Sequence, residues 1–295
     1  MQLHVRALTL AATGALALAA SGCAALSEEP DGVSVAAAFY PLAFVAEEVG
    51  GDRVDVSLLT QPGTEPHDLE LTIRETAELA GADLVVYESG FQPAVDDGVE
   101  QNAAGEVLDA ADVADLQPLQ DGDGTDPHFW LDPLRMADLA DAVADRLAEV
   151  DPAGADEYAA NAAELRRELT RLDAAYERGL ADCERDTVVV SHDAFGYLAR
   201  YGLAFAPVAG LSPEAEPTAA DLARLQDLVR DEGITTVFSE RLASPRLTAA
   251  LAQDVGVETA VLDPIEGRDE ETADEDYLSL MRENLAALEE ANGCA

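Results

Sequence analysis

The chain has 295 residues, enough for one large domain or for two lobes of about 100–150 residues each. It carries 60 acidic and 17 basic residues, and the resulting net charge of −43 repels nucleic acid and anionic lipid headgroups. All 17 basic residues are arginines. Without lysine the chain has neither a Walker A loop nor a Schiff-base nucleophile, so P-loop ATPases and Schiff-base enzymes are excluded.

Residues 1–22 predict an export signal. The first six residues carry one arginine, and the apolar run at 7–20 is too short to span a bilayer comfortably. The small residues directly before Cys23 resemble the lipobox of bacterial lipoproteins, in which the cysteine is acylated and becomes the mature N-terminus. Residues 23–32 then form a polar tether. The plainer alternative is a secretory signal with an incidental cysteine.

Two further cysteines remain, Cys183 and Cys294. An even number of cysteines in an exported protein suggests a disulfide, which would tie the C-terminus to the body of the fold. Two free thiols are the alternative, because a sequence does not give the Cα separation that a bridge requires.

Strand-like and helix-like segments alternate in the first half. Strands are predicted at 33–40, 54–60 and 83–89, and helices at 42–50, near 72–80 and at 134–149. This β-then-α order is typical of parallel sheets with helices on both faces. We therefore expect residues 33–150 to form an N-terminal α/β lobe.

A long helix is predicted between the halves. From 153 to 181 apolar residues recur at three- and four-residue steps, among them Leu165, Leu169, Leu172, Tyr176 and Leu180. Such a helix would be about 40 Å long, and we assign 151–183 to a single rigid linker. Residues 184–295 form a second α/β lobe, with strands predicted at 187–192, 203–208, 235–240 and 257–263 and helices at 194–201, 218–232, 246–254 and 274–291.

Three histidines remain once His4 is removed with the signal. His67, His128 and His192 each lie at the carboxyl end of a predicted strand or in the loop after one, and Asp263 ends the last strand in the same way. Ligands of open α/β sheets bind at this edge, so the four side chains can converge in a cleft between the lobes. Three imidazoles and a carboxylate suit tetrahedral Zn²⁺. A single loop histidine is more often structural, so their shared position carries the prediction.

Five blocks in this order resemble the zinc- and manganese-binding solute receptors of bacterial ABC transporters, the cluster A-I family. They are "FYPLAFVAEEVGG" (39–51), "PGTEPHDLELT" (62–72), "DPHFWLDP" (126–133), "SHDAFGYLARYGL" (191–203) and "LSPEAEPTAADLARL" (211–225). The resemblance extends from about residue 35 to 290. It implies two four-stranded α/β lobes joined by one long helix, with the metal site in the cleft between the lobes.

The resemblance also implies roles for particular residues. His67, His128 and His192 fall on the family's three histidine ligand positions, and Asp263 of "LDPIEG" falls on the fourth, carboxylate position. Glu240 of "VFSE" matches a family glutamate near the site and is expected to support a ligand rather than to bind metal. Each ligating imidazole needs an acceptor for its other N–H. The candidates are Asp68, Asp132, Asp193 and Glu240.

The implied function is capture of Zn²⁺ outside the cytoplasm and delivery to a membrane permease and its ATPase, by a monomer held through a lipid on Cys23. Manganese receptors of the family tend to carry glutamate at the third histidine position. His192 therefore favours zinc, because imidazole suits zinc and manganese prefers oxygen. Many zinc receptors also have a long His-rich loop before the "DPH" block. Here residues 116–126 are short and lack histidine, and Asp121, Asp123 and Asp126 form either a weak cation attractor or a plain solvated turn.

A zinc hydrolase and a surface adhesin or metal buffer are the alternatives to a transport receptor. A catalytic zinc usually keeps a position open for water, and four protein ligands leave none. Ser191, His192 and Asp193 are adjacent, so neighbours on a strand point to opposite faces and do not form a triad. Glu240 would be the base of a zinc hydrolase only if Asp263 were not a ligand. We expect no enzyme. A surface adhesin or metal buffer on the same fold stays open.

Overall fold

The computed structural model describes residues 32–119 and 124–295. The predicted export signal, Cys23, nearly all of the tether, Asp121 and Asp123 lie outside the described residues. Within these two ranges no helix combines the length and the apolar character needed to cross a membrane.

Two four-stranded parallel sheets form the framework. The first contains β1 (Val33–Ala37), β2 (Val54–Leu58), β3 (Leu84–Tyr87) and β4 (Glu106–Asp109) in the order β2-β1-β3-β4. The second contains β5 (Thr187–Val190), β6 (Ala204–Pro207), β7 (Thr236–Ser239) and β8 (Glu258–Val261) in the order β6-β5-β7-β8. The predicted class, two parallel α/β lobes, is confirmed. In each sheet the order reverses beside the central strands, which is where such folds bind ligands.

Helices connect and cover the strands. They are α1 (Tyr40–Gly50), α2 (Ile73–Gly81), α3 (Pro93–Asn102), α4 (Ala110–Ala114), α5 (Pro133–Val150), α6 (Ala155–Gly179), α7 (Ala219–Glu232), α8 (Arg246–Val255) and α9 (Tyr277–Asn292). Short 3-10 helices occupy Gly51–Arg53, Phe129–Leu131 and Gly196–Tyr201. Capping boxes begin α2, α7 and α9, so the first N–H groups of these helices have acceptors.

Four segments differ from the sequence prediction, and one of them is the five-residue helix α4, which was not predicted. The α-helix predicted at 194–201 is a six-residue 3-10 helix, because it starts at Gly196 against the Asp126 side chain and ends at Gly202, whose φ is +91°. Strand β4 and helix α3 were not predicted along the chain. Strand β4, "EVLD", has four residues and an exposed Glu106, so its apolar pattern is too short to register.

Helix α6 runs for 25 residues between the two sheets. The side chains of Leu165, Leu169, Leu172 and Tyr176 are buried, which confirms the apolar stripe read from the sequence. The hydroxyl of Tyr176 donates to the carbonyl of Met281 in α9 (2.7 Å). The helix packs against α1 and α5 on the first half and against α9 on the second, so it is continuous with both.

Further contacts fix the two halves relative to each other. Cys183 and Cys294 form the expected disulfide, which closes a separation of 111 residues and ties the C-terminus to the end of α6. The Trp130 indole N–H donates to the Pro264 carbonyl (2.7 Å), and the Tyr277 hydroxyl donates to the Trp130 carbonyl (2.5 Å). One hydrophobic core extends through both halves. The loops at the cleft are therefore held by buried contacts from both sides.

Candidate metal centre

Four side chains converge where the carboxyl ends of the two sheets face each other. They are His67, His128 and His192 with Glu266, and their nearest ligand-type atoms all lie within 4.8 Å of one another. His67 and His128 come from the first half of the chain, and His192 and Glu266 from the second. The convergence of the three histidines, which the sequence suggested, is thus present in the structure.

His67 follows β2 at the end of the loop at 61–67. Gly63 has a φ of +79°, which favours glycine, and its N–H donates to the Arg268 carbonyl on the other half of the chain (2.7 Å). The backbone N–H of His67 donates to Glu65 Oε1 (3.1 Å), and the imidazole packs edge-on against Phe91 at 4.7 Å between ring centroids. With its side chain 12% exposed, His67 is the most accessible of the four residues.

His128 is fully buried in the loop before the 3-10 helix Phe129–Leu131. The Asp126 carboxylate contacts it twice: Oδ1 accepts the backbone N–H (3.0 Å) and lies 2.8 Å from Nδ1. Trp130 packs edge-on against the imidazole at 5.2 Å between centroids. Nδ1 faces a carboxylate and Nε2 faces the centre, which is the orientation that a metal-ligating histidine requires.

His192 follows β5 and is also fully buried. Its Nδ1 lies 2.9 Å from Oε2 and 3.1 Å from Oε1 of Glu240, which follows β7. This carboxylate has the same relation to His192 as Asp126 has to His128. Glu240 contacts the far side of a ligand-type histidine and lies outside the group of four. The family resemblance likewise implied a supporting role for it.

Glu266 completes the group. Its Oε1 lies 3.4 Å from Nε2 of His67, 3.4 Å from Nε2 of His128 and 3.3 Å from Nε2 of His192. A tetrahedron whose corners lie ~2.0–2.1 Å from its centre, as zinc ligands do, has edges of ~3.3–3.4 Å. The three measured distances match such edges.

Within the described residues the four converging atoms make no hydrogen bonds. Nε2 of each histidine and Oε1 of Glu266 are buried, and despite their proximity none is aligned as a hydrogen-bond partner of another. Buried polar atoms in native structures nearly always have partners, and an unmodelled ion is one standard explanation for a group that lacks one. A cation at the centre would satisfy all four atoms together.

Charge interactions in the group are strong. Burial lowers the pKa of His192, but contacts with Glu240 and Glu266 outweigh it and raise the pKa to about 10. Burial also lowers the pKa of His128, but contacts with Asp126 and Glu266 outweigh burial, so the pKa is raised. Burial raises the pKa of Glu266, yet the three imidazoles hold it well below its usual range. The carboxylates therefore favour the protonated forms of His128 and His192, and the imidazoles favour the charged form of Glu266.

Asp263, the carboxylate expected to join the histidines, lies outside the group of four. Its Oδ1 accepts the N–H of Ile265 (2.8 Å), and its Oδ2 lies 3.1 Å from Nε of Arg241. The structure thus brings Glu266, three residues further on, to the position assigned to Asp263. The sequence contained a signal for this, since "LDPIEG" has two acids after the last strand, but nothing in the pattern ranked them.

The other predicted acceptors have different surroundings. Asp132 caps α5 through the Leu134 N–H and pairs with Arg200 (2.7 Å). Asp68 is exposed, and the backbone N–H of Asp193 donates to the Gly210 carbonyl. Asp126, considered only as part of a cation-attracting loop, is the acceptor that contacts His128. Its position two residues before the histidine was the available signal.

Fold and site together define a two-lobed α/β protein with a buried donor set that can hold one metal ion between the lobes. Residues 35–291 match the family model described as zinc-uptake complex component A, periplasmic, and the chain belongs to this family.

Similar proteins and solved structures are also zinc-binding or zinc-uptake proteins. The chain is 34% identical to the zinc-binding lipoprotein AdcA of Streptococcus pneumoniae, over 96% of this chain but 60% of that protein. It therefore spans well under two thirds of AdcA's length. It is 31% identical to the high-affinity zinc uptake system protein ZnuA of Bacillus subtilis, over 88% of each chain. The Zn(II)-bound ZnuA-like domain of S. pneumoniae AdcA superposes with a TM-score of 0.77 at 35% identity, covering 88% of this chain and 99% of that domain.

Proposed function

We propose that this protein captures Zn²⁺ outside the cytoplasm and delivers it to an ABC permease and its ATPase. The observation that carries the proposal is the convergence of four buried donor atoms that have no hydrogen-bond partner among the described residues, with Oε1 of Glu266 3.3–3.4 Å from Nε2 of each histidine. The zinc-binding and zinc-uptake names of the relatives support it. Four protein ligands leave no position for a reactive water, so the site suits binding and not hydrolysis.

The proposed ligands are Nε2 of His67, His128 and His192 and Oε1 of Glu266. Asp126 and Glu240 fix two of the rings by accepting their Nδ1 protons, which raises the basicity of the ligating nitrogens. Three imidazoles and one carboxylate favour zinc over manganese, because manganese prefers a site richer in oxygen. The cargo is held without water, in a pocket whose partly exposed edge is His67.

Lipid anchoring at Cys23 is part of the proposal. Cys23 lies outside the described residues, and support comes from the lipobox-like sequence and from the lipoprotein name of a relative. A protein with a net charge of −43 is repelled by an anionic membrane surface, so acyl chains must provide the attachment. The anchor would keep the receptor beside its permease.

The test is zinc and manganese titration of chelator-treated protein. We expect one tightly bound Zn²⁺ per chain, preferred over Mn²⁺. The His67→Ala, His192→Ala double variant should lose affinity by orders of magnitude, since each change removes a metal bond. Wild-type affinity in that variant would refute the ligand set.

Growth of a native-like host in zinc-limited medium tests delivery. A Cys23→Ala variant should leave the lipid-modified membrane pool and support growth poorly, although the purified protein binds zinc normally. A surface adhesin or metal buffer on this fold would also bind zinc, but its loss would leave zinc uptake unchanged. Unimpaired growth of a host that lacks this protein, in zinc-limited medium, would therefore contradict the transport role.

A further inference from the structure

The turn that carries Glu266 has an unusual backbone. Ile265, directly before Glu266, has a φ of +59°; in the described chain Asp115 is the only other residue besides glycine with positive φ. For a β-branched residue this conformation is a genuine outlier, because Cβ crowds the backbone. Such strain persists only where the surroundings over-determine it, and it clusters at ligand sites.

Asp263 supplies the first support of this turn. Its Oδ1 accepts the N–H of Ile265 (2.8 Å), which bends the chain back over two residues. Its Oδ2 faces Arg241, whose guanidinium compensates the charge of a side chain that is only 5% exposed. The carboxylate expected to bind metal thus uses Oδ1 to shape the turn, while its Oδ2 has an ion-pair contact with Arg241.

Two neighbouring elements clamp the same turn. The amide of Asn284 in α9 holds the backbone of Asp263 on both sides: Oδ1 accepts its N–H (2.9 Å) and Nδ2 donates to its carbonyl (2.6 Å). From the first half of the chain, Trp130 donates its indole N–H to the carbonyl of Pro264 (2.7 Å). The peptide groups that precede the strained residue are therefore held by side chains from both lobes.

The strained φ has a direct consequence for the site. Reversing φ at Ile265 re-aims the chain after it while Asp263 keeps its place on Asn284. In the observed conformation Glu266 is 2% exposed, with Oε1 3.3–3.4 Å from three imidazole nitrogens. With an ordinary φ the carboxylate would leave this position.

We propose that Asp263 and Trp130 are positioning residues that hold the left-handed turn at Ile265 and thereby fix Glu266 as the fourth zinc ligand. This rests on the proposed zinc site. The side chain of Asp263 accepts the backbone N–H of Ile265, two residues further on. In this proposal it does not bind the metal. Trp130 links the loop of His128 to the turn of Glu266, so one side chain aligns ligands from both lobes.

The test is a double-mutant cycle in zinc affinity, measured by competition with a chromophoric chelator. Asp263→Ala should weaken zinc binding about 10- to 100-fold, the usual range for residues that orient a metal ligand. In a Glu266→Gln background the same change should cost less than about threefold, because the carboxylate it positions is already gone. A ligand or an independent contributor would instead give equal losses in both backgrounds, and that result would overturn the proposal.

Conservative variants separate positioning from charge and from stability. Asp263→Asn keeps an acceptor for the Ile265 N–H and should retain affinity within about threefold, whereas a metal-binding carboxylate would not be rescued by an amide. Trp130→Phe keeps most of the ring but removes the N–H donor, and should weaken binding in the same Glu266-dependent way. These two variants decide the question if Asp263→Ala does not fold. Loss of affinity in Asp263→Asn equal to that in Asp263→Ala would contradict the proposal.

Asp269→Ala is the matched control. Asp269 lies in the same loop and also accepts backbone N–H groups two and three residues ahead, from Glu271 and Thr272, but it does not support Glu266. Its loss should affect stability without changing zinc affinity. If wild-type protein binds no zinc and Glu266→Gln changes nothing, the proposed function fails. If wild type binds zinc and only the cycle is additive, the positioning role alone fails.

Discussion

Glu88 and Glu266 are both buried glutamates beyond the carboxyl ends of parallel strands. Glu88 directly follows β3 in the first sheet, Glu266 follows β8 in the second, and each is 2% exposed. Their neighbours carry opposite charges. Glu266 faces three imidazoles, whereas the charges acting on Glu88 are those of Asp96, Asp109 and Asp126.

The two carboxyl groups consequently differ in protonation. Burial raises the pKa of both. At Glu88 the neighbouring aspartates raise it further, well above its usual value, while at Glu266 the imidazoles bring the pKa well below it. Among the described residues neither oxygen of Glu88 has a hydrogen-bond partner. Burial at a strand end therefore does not make a metal ligand: the surroundings of Glu266 favour the charged carboxylate, and those of Glu88 favour the protonated acid.

Exchanging each glutamate for glutamine gives the largest expected contrast. Glu266→Gln should weaken zinc binding at least about 100-fold, or about 2.7 kcal/mol, because it removes the anionic ligand. Glu88→Gln should leave zinc affinity unchanged, since Glu88 lies outside the group of four and its raised pKa favours the uncharged acid. Chelator competition on both variants measures this. A comparable loss in both would mean that Glu88 also acts on the metal.

The positions of the histidines were predictable for a physical reason. Parallel strands bring their carboxyl ends to one edge, so His67, His128 and His192 had a common location before any distance was known. The choice between Asp263 and Glu266 was not predictable, because it depends on a positive φ at Ile265. Isoleucine disfavours a positive φ, so local residue propensity does not predict this turn.

Other parts were hidden by context. Asp126 looked like part of a solvated turn, yet its side chain contacts both the backbone and the ring of His128. Glu88 resembles any other acid in a chain with 60 of them, and only the fold shows that it is buried. The alternation of strands and helices revealed the class of fold, while the short strand β4 lacked a readable pattern.

The pH dependence of zinc binding gives the next largest effect. Zinc requires neutral imidazoles, and the pKa values of His128 and His192 are raised, the latter to about 10, so metal must displace protons at neutral pH. Apparent affinity should therefore rise with pH, about tenfold per pH unit for each proton displaced. Titrations from pH 6 to 8 should show a slope between one and two.

Variants sharpen this measurement. Glu240→Gln should reduce the slope, because the Glu240 carboxylate helps to raise the pKa of His192. Glu88→Gln should leave the slope as in wild type, since in the described part of the chain neither oxygen of Glu88 has a hydrogen-bond partner. A flat profile in wild-type protein would show that the imidazoles are not protonated in the metal-free site.

The smallest expected effect concerns the stability of the metal-free protein and isolates Glu88. In the folded state its pKa is raised, so between the unfolded value, near ~4.3, and the folded value the native state holds a proton that the unfolded state has released. Stability linked to this group must therefore fall as pH rises. Glutamine does not titrate, so the free energy of unfolding of Glu88→Gln relative to wild type should shift in favour of the variant by about 1.4 kcal/mol for each pH unit over which the folded protein holds this proton and the unfolded chain does not. Urea unfolding of both proteins at several pH values measures the difference.

Glu100→Gln, at an exposed position of α3, is the control and should show no such trend. If the difference between Glu88→Gln and wild type stays constant with pH, Glu88 is ionised in the folded protein and the contrast with Glu266 does not hold.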